Sequence, residues 1–218
     1  MSDALDLKNI ERKAFRSVHQ DGLWDICIGG VVLSYSVVPF ITDSETFPIL
    51  GFGLMLAGLC LFNLFLWAGK KYITTPRLGQ VKFGPRRQRR KLTLVLVLSG
   101  IVLLQVILLF GTIFLWSHPE WAARLGFSGS DPDRERLLVA VVGALFVGPS
   151  MAMIAYFNDF TRGYYIAFIL SLAVFSWIWF DQPIYYVIAG LLIMIPGVVL
   201  FVRFLREHPL PPAEARHD

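Results

Sequence analysis

The sequence predicts an all-α, polytopic membrane protein with six transmembrane helices, cytoplasmic N- and C-termini and an amphipathic interfacial helix before the first span. Three observations lead to this prediction. The chain of 218 residues is 56% hydrophobic and only 17% charged, which is too apolar for an ordinary soluble protein. Its apolar residues occur in blocks of the length that a helix needs to cross a bilayer. Its basic residues fall mainly between alternate blocks.

Six apolar blocks define a transmembrane domain over residues 23–204. A hydrocarbon core about 30 Å thick is crossed by about 20 helical residues, and each block comes near that length. The first block is weakened by polar residues such as Ser34 and Ser36, and the fifth is bounded by Arg162 and Asp181. The predicted spans are 23–41, 47–68, 92–116, 137–157, 163–180 and 183–204.

The distribution of basic residues predicts the orientation. Short cytoplasmic loops are enriched in Lys and Arg. With the N-terminus inside, the cytoplasmic segments are 1–22, 69–91, 158–162 and the tail 205–218. Together with Arg203 at the last inner boundary, these segments contain seventeen of the twenty Lys and Arg residues. We therefore predict a multi-pass protein of the cell membrane, either an inner or a plasma membrane.

The pattern of apolar and basic residues in 1–22 predicts an amphipathic segment that lies at the cytoplasmic membrane surface. Leu7, Ile10, Phe15 and Val18 recur at helical spacing, and basic residues lie between them. A solvated or docked cytoplasmic helix is the alternative. Asp25 follows at the mouth of the first span, where we interpret its carboxylate as an interfacial cap or a partner for a loop arginine rather than a proton carrier.

The loop 69–91 holds nine basic residues and no acidic residue. Lys and Arg next to an anionic leaflet each contribute about 1 kcal/mol to membrane binding, so the loop predicts binding of anionic lipid or of a cytoplasmic protein partner. A topology signal alone is the alternative. Nucleic acid is disfavoured because no aromatic residue interrupts the patch that precedes the third span. The predicted binding residues are Arg77, Lys82, Arg86, Arg87, Arg89, Arg90 and Lys91.

The first half of this loop carries a family resemblance. Thr75–Phe83 reads Thr-Pro-Arg-Leu-Gly-Gln-Val-Lys-Phe and resembles the P-R-x-G-x-V-K-F loop of a group of uncharacterised prokaryotic multi-spanning membrane proteins. That group also places an Asp-Gly-Leu-Trp-Asp-like stretch, here 21–25, before the first span. The resemblance implies this architecture in a prokaryotic cell membrane and no particular reaction.

The matching residues suggest a structural clasp on the cytoplasmic side. In this hypothesis, Asp21 or Asp25 pairs with Arg77 or Lys82, and Gly79 belongs to a turn that starts near Pro76. Within the membrane, the clearest packing signal is a row of small residues at successive i+4 positions in the fourth span, which lets another helix approach closely. The row consists of Ala140, Ala144, Gly148 and Ala152.

Catalytic motifs are missing from the sequence. It contains no G-x-x-x-x-G-K-[ST] phosphate loop, no H-E-x-x-H zinc helix and no G-x-S-x-G nucleophile turn. The four histidines are divided between the two sides of the membrane, so we predict neither a metal site nor a cofactor. We therefore predict that the protein is not an enzyme.

Two functional hypotheses remain. The first is a regulatory or scaffold membrane protein whose cytoplasmic face binds anionic lipid or a protein partner. The alternative is a small-solute transporter or channel, which would depend on Asn63, Gln105, Pro149 or Pro196 within the spans. A homo-oligomer is compatible with either hypothesis, and no midspan carboxylate points to coupled transport.

Overall fold

The computed structural model describes residues 19–42, 48–78, 85–118, 120–121 and 132–209, and these residues contain helices and no strand. The predicted all-α class is thereby confirmed for the described part of the chain. The interfacial segment predicted before residue 19 and the tail beyond residue 209 lie outside it. The six main helices are α1 (Leu23–Thr42), α2 (Pro48–Ala68), α3 (Pro85–Ser117), α4 (Pro132–Phe157), α5 (Arg162–Phe180) and α6 (Ile184–Glu207).

Four helical stretches are long and apolar enough to cross a membrane: Leu50–Leu78, Arg136–Phe157, Arg162–Phe180 and Ile184–Glu207. The apolar parts of the other two helices, Leu23–Pro39 and Leu92–Leu108, are shorter. Large apolar side chains cover the outside of the helices. Leu61 and Phe168, for example, are 63% and 68% exposed. An apolar exposed surface of this extent is typical of a protein that faces lipid.

The predicted loop 69–91 is largely helical. Helix α2 continues through a π-helical turn, Gly69–Thr74, and one α-helical turn, Thr75–Leu78. Helix α3 already begins at Pro85, seven residues before the apolar block. Proline suits the first position of a helix, and Arg, Lys and Gln are good helix formers, so the helix extends beyond the apolar residues. Residues 79–84 between the two helices lie outside the described part.

The helices form two compact units. Unit 1 contains α1, α2 and α6 together with the turns that follow α2, and unit 2 contains α3, α4 and α5. In unit 1, α1 lies between α2 and α6 and packs against both. In unit 2, α4 packs mainly against α5 and contacts α3 less extensively.

Glycines allow α1 and α6 to approach each other closely. A Cβ atom at Gly29 would lie 2.7 Å from the carbonyl oxygen of Gly190, and one at Gly22 would clash with the carbonyl oxygen of Gly197. Gly22 and Gly29 are seven residues apart along the chain, and so are Gly190 and Gly197. The two antiparallel helices therefore meet backbone to backbone over two turns.

Burial explains why the first predicted span can contain polar residues. Ser34 and Ser36 are 6% and 4% exposed. Their hydroxyl groups donate to carbonyl oxygens of the same helix, from Ser34 to Gly30 at 2.9 Å and from Ser36 to Leu33 at 2.6 Å. Because α1 is covered by protein on two sides, these two hydroxyl groups are both satisfied and buried.

The row of small residues on α4 faces α5. Ala140 is completely buried, and a Cβ atom at Gly148 would lie 3.0 Å from Ser171 Cβ. Ser171 Oγ donates to the carbonyl oxygen of Ala144 at 2.9 Å, which links the two helices. Ala152, the last member of the row, is partly buried. Close approach thus permits a side-chain to backbone hydrogen bond between the helices.

Replacing Ser171 by alanine is expected to lower the free energy of unfolding by about 0.6 kcal/mol, the average for interhelical hydrogen bonds in membranes. Thr93→Ala is the matched control, because the Thr93 hydroxyl is exposed and donates only to Arg89 O in its own helix. Unfolding in mixed detergent micelles measures both values. Equal losses in the two variants would show that the bond to Ala144 contributes nothing specific.

Candidate functional site

A buried carboxylate lies at the start of α1. Asp21 is 0% exposed, and its Oδ1 accepts a hydrogen bond from the Leu23 backbone N–H at 3.2 Å. Gly22 between them has φ +75°, a conformation that costs glycine little. Asp21 thus satisfies a backbone donor of the first helical turn and places its negative charge at the positive end of the helix dipole.

The other carboxylate oxygen binds the end of the neighbouring helix. Asp21 Oδ2 accepts hydrogen bonds from Lys70 Nζ at 2.6 Å and from Thr74 Oγ1 at 2.7 Å. The side chain of Lys70 is 22% exposed, whereas that of Asp21 has no exposure. We call these three residues the Asp21 cluster. It joins the N-terminus of α1 to the turn that continues α2.

The π-helical turn positions the two donors. The Thr75 backbone N–H donates to the Lys70 carbonyl oxygen, five residues back, and Thr75 Oγ1 donates to the same oxygen at 2.7 Å. An i→i+5 bond makes the turn about one residue wider than an α-helical turn. Lys70 and Thr74 therefore reach the same carboxylate on the inner side of the turn.

The chemistry of the Asp21 cluster is that of a structural link. Both carboxylate oxygens accept hydrogen bonds, and one of the three donors is a cation. Burying a carboxylate is costly unless it is paired and hydrogen-bonded, and the cluster provides both. Nowhere in the described part of the chain do three or more His, Cys, Asp or Glu side chains group in a way that could hold a metal ion.

Asp21 of the clasp hypothesis forms an ion pair, but with Lys70, a residue that the hypothesis did not name. Arg77 is partly buried, and its Nε has no hydrogen-bond partner among the described residues. Asp25 is 4% exposed and packs against α6, where a Cβ atom at Gly197 would lie 2.8 Å from Asp25 Cβ. Gly79 and Lys82 lie outside the described residues.

A sequence signal for the correct partners exists. Lys70 and Thr74 are four residues apart and would share one face of a helix that continued past Ala68. The predicted second span ends with the apolar block at residue 68, so neither residue was expected on that helix.

The outer side of the π-helical turn carries an exposed aromatic cluster. Lys71 Nζ lies 4.8 Å from the centre of the Trp67 ring and 5.3 Å from that of the Tyr72 ring. The two rings meet edge to face with their centres 6.2 Å apart. Trp67 and Tyr72 are 56% and 62% exposed, so this cluster lies on the surface.

The polybasic patch forms the start of α3. Five of the seven residues from Pro85 to Lys91 are basic, and the first turn contains no acidic residue. Arg89 is exposed. The side chains of the other four, Arg86, Arg87, Arg90 and Lys91, lie outside the described part.

Three of the four residues nominated for a solute path are exposed on their helices. Asn63 is exposed and donates to the Leu59 carbonyl oxygen of its own helix at 2.8 Å. Pro149 and Pro196 are also exposed, on α4 and α6, and Gln105 is partly buried on α3. This placement gives the transport alternative no specific support.

Comparisons with protein-family models, curated proteins and solved structures found no match to this chain. The function is therefore inferred from its residues and their geometry.

Proposed function

We propose that this chain is a six-span, non-catalytic protein of the cell membrane whose cytoplasmic face binds anionic lipid. The basic start of α3 is the observation that carries the proposal. Positive charges of this density at a membrane surface favour anionic headgroups, and each contributes about 1 kcal/mol.

The helical conformation of the basic segment strengthens the argument. The N-terminal end of a helix carries a positive partial charge, which disfavours further cations there. A nearby anion would therefore stabilise the five basic residues in the first seven of α3, and the first turn itself contains no acidic residue. Lipid phosphates at the membrane surface are anions of suitable charge and position.

The length of α3 supports a location at the headgroups. Its 33 residues, at about 1.5 Å per residue, span about 50 Å, whereas a hydrocarbon core measures about 30 Å. The apolar residues begin at Leu92, so the preceding basic residues would lie outside the core. The bias of Lys and Arg supports the cytoplasmic side, and the loop resemblance of Thr75–Phe83 supports the same architecture.

Six spans follow when α1 and α3 are added to the four long apolar helices. Helix α1 can cross with a shorter apolar stretch, because α2 and α6 cover it on two sides and fewer of its residues face lipid. Helix α3 contains an apolar stretch from Leu92 that continues well into its 33 residues.

Neutralising the basic start of α3 is expected to abolish the preference for anionic lipid. The variant replaces Arg86, Arg87, Arg89 and Arg90 by glutamine. Native mass spectrometry of protein released from nanodiscs with equal phosphatidylglycerol and phosphatidylcholine counts the retained lipids. We expect the wild-type protein to retain more phosphatidylglycerol and the variant to retain both lipids equally.

The matched control replaces Arg124, Arg134 and Arg136 by glutamine, because these residues belong to the predicted outer loop. It should keep the wild-type lipid ratio. Two outcomes would contradict the proposal. In one, the wild-type protein shows no lipid preference. In the other, the control loses as much phosphatidylglycerol as the α3 variant.

A further inference from the structure

A second surface, in unit 1, has the chemistry of a lipid contact and consists of other residues than the basic start of α3. Trp67, Lys71 and Tyr72, which we call the Trp67 cluster, lie on the outer side of the π-helical turn. The inner side of the same turn holds Asp21 through Lys70 and Thr74. Two adjacent lysines thus have different environments: one is paired with a buried carboxylate and the other stands on the surface.

The widened turn assembles the Trp67 cluster. In a regular α-helix, residue i+4 lies over residue i, but residue i+5 is turned away by about 140°. The π-helical turn is about one residue wider, so i+4 and i+5 both come over residue i. Lys71 and Tyr72 consequently flank the ring of Trp67, and the ammonium group contacts both rings.

The charge of Lys71 is oriented but not neutralised. Aromatic faces attract a cation without cancelling its charge. Within the described part of the chain, no carboxylate forms an ion pair with Lys71. Both rings are more than half exposed, and the ammonium retains donors that can reach an anion outside.

The position of the Trp67 cluster matches a membrane interface. It lies where the apolar residues of α2 end, at Ala68. The bond from Lys70 to Asp21 places the start of α1 at the same end of unit 1, where Trp24 is also 36% exposed. Trp and Tyr are enriched where hydrocarbon meets headgroups, and Lys extends its ammonium toward that layer.

We infer that the Trp67 cluster binds the phosphodiester group of a membrane phospholipid. Lys71 donates to the phosphate, and the rings of Trp67 and Tyr72 contact the glycerol and upper acyl region below it. Every phospholipid carries this phosphate, so the site does not select anionic headgroups. The inference rests on the proposed insertion of α2 in a membrane but not on the anionic preference assigned to α3.

Native mass spectrometry from nanodiscs of pure phosphatidylcholine, and separately of pure phosphatidylglycerol, tests this site. Lys71→Gln is expected to retain one phospholipid fewer than the wild-type protein in both lipids. The double variant Trp67→Leu and Tyr72→Leu should lose the same lipid while keeping Lys71. The α3 variant, in contrast, should lose phosphatidylglycerol only, so the two sites are tested independently.

Arg206→Gln is the matched control, because Arg206 is an exposed cation in the last turn of α6. It should retain the wild-type number of lipids, and circular dichroism should show equal helix content in all variants. An unchanged lipid count in Lys71→Gln, or an equal loss in Arg206→Gln, would overturn the inference. Displacement of the lipid by inorganic phosphate would also overturn it, since the acyl chains would then add nothing.

Discussion

Asp21→Asn is expected to lower the free energy of unfolding by about 3 kcal/mol, because breaking a buried ion pair leaves the other charge without compensation. Asparagine caps helices as well as aspartate does, so the bond to the Leu23 N–H can persist. The loss therefore reports mainly on Lys70 and Thr74. Unfolding in mixed detergent micelles, followed by circular dichroism, measures it.

An exposed ion pair supplies the control for this prediction. Arg203 and Glu207 pair at 2.6 Å on the surface of α6, with side chains 72% and 52% exposed. Glu207→Gln should change stability by less than about 1 kcal/mol, as is usual for surface pairs. The double variant Asp21→Asn and Lys70→Gln should recover part of the loss, since it leaves no unpaired charge. If Asp21→Asn costs no more than Glu207→Gln, the cluster is not the stabilising link described above.

Gly22→Ala is expected to have a comparable effect, about 3 kcal/mol, from two additive causes. The residue has φ +75°, which costs any residue with a Cβ atom about 1–2 kcal/mol. The added methyl group would also collide with the Gly197 carbonyl oxygen of α6, and overpacking of this kind costs about 1–3 kcal/mol. The same unfolding measurement applies.

Gly53→Ala is the matched control for the glycine contact. Gly53 lies on α2 in an open position, where an added Cβ atom meets nothing within 4 Å. Alanine there should leave stability unchanged or raise it by up to about 1 kcal/mol, because it favours the helix. A Gly22→Ala protein as stable as Gly53→Ala would mean that α1 and α6 do not depend on this close approach.

The helices themselves were predictable, but two of their ends were not. Apolar length locates a bilayer crossing, and each predicted span lies largely within a helix. The same criterion ends a helix where the apolar residues end. It therefore missed the continuation of α2 through Lys70 and Thr74 and the early start of α3 at Pro85. A helix can leave the hydrocarbon without ending.

The site was predictable only in part, for a related reason. Asp21 was singled out because the stretch 21–25 resembles one that accompanies the loop motif in the group of membrane proteins named above. Its partner depends on how α1 packs against α2 and on a π-helical turn, and neither is encoded in a local residue pattern. The two suggested partners, Arg77 and Lys82, were chosen from the position of the loop motif rather than from helical periodicity.

The pairing of α1 with α6 has a consequence for biosynthesis. Unit 1 is discontinuous in sequence, since the whole of unit 2 is translated between its helices α2 and α6. Domains generally fold in the order in which they leave the ribosome, but unit 1 cannot be completed before α6 is inserted. During that interval the glycine-lined side of α1 lacks its partner. Nascent chains truncated before α6 should therefore be preferred substrates for membrane chaperones and proteases.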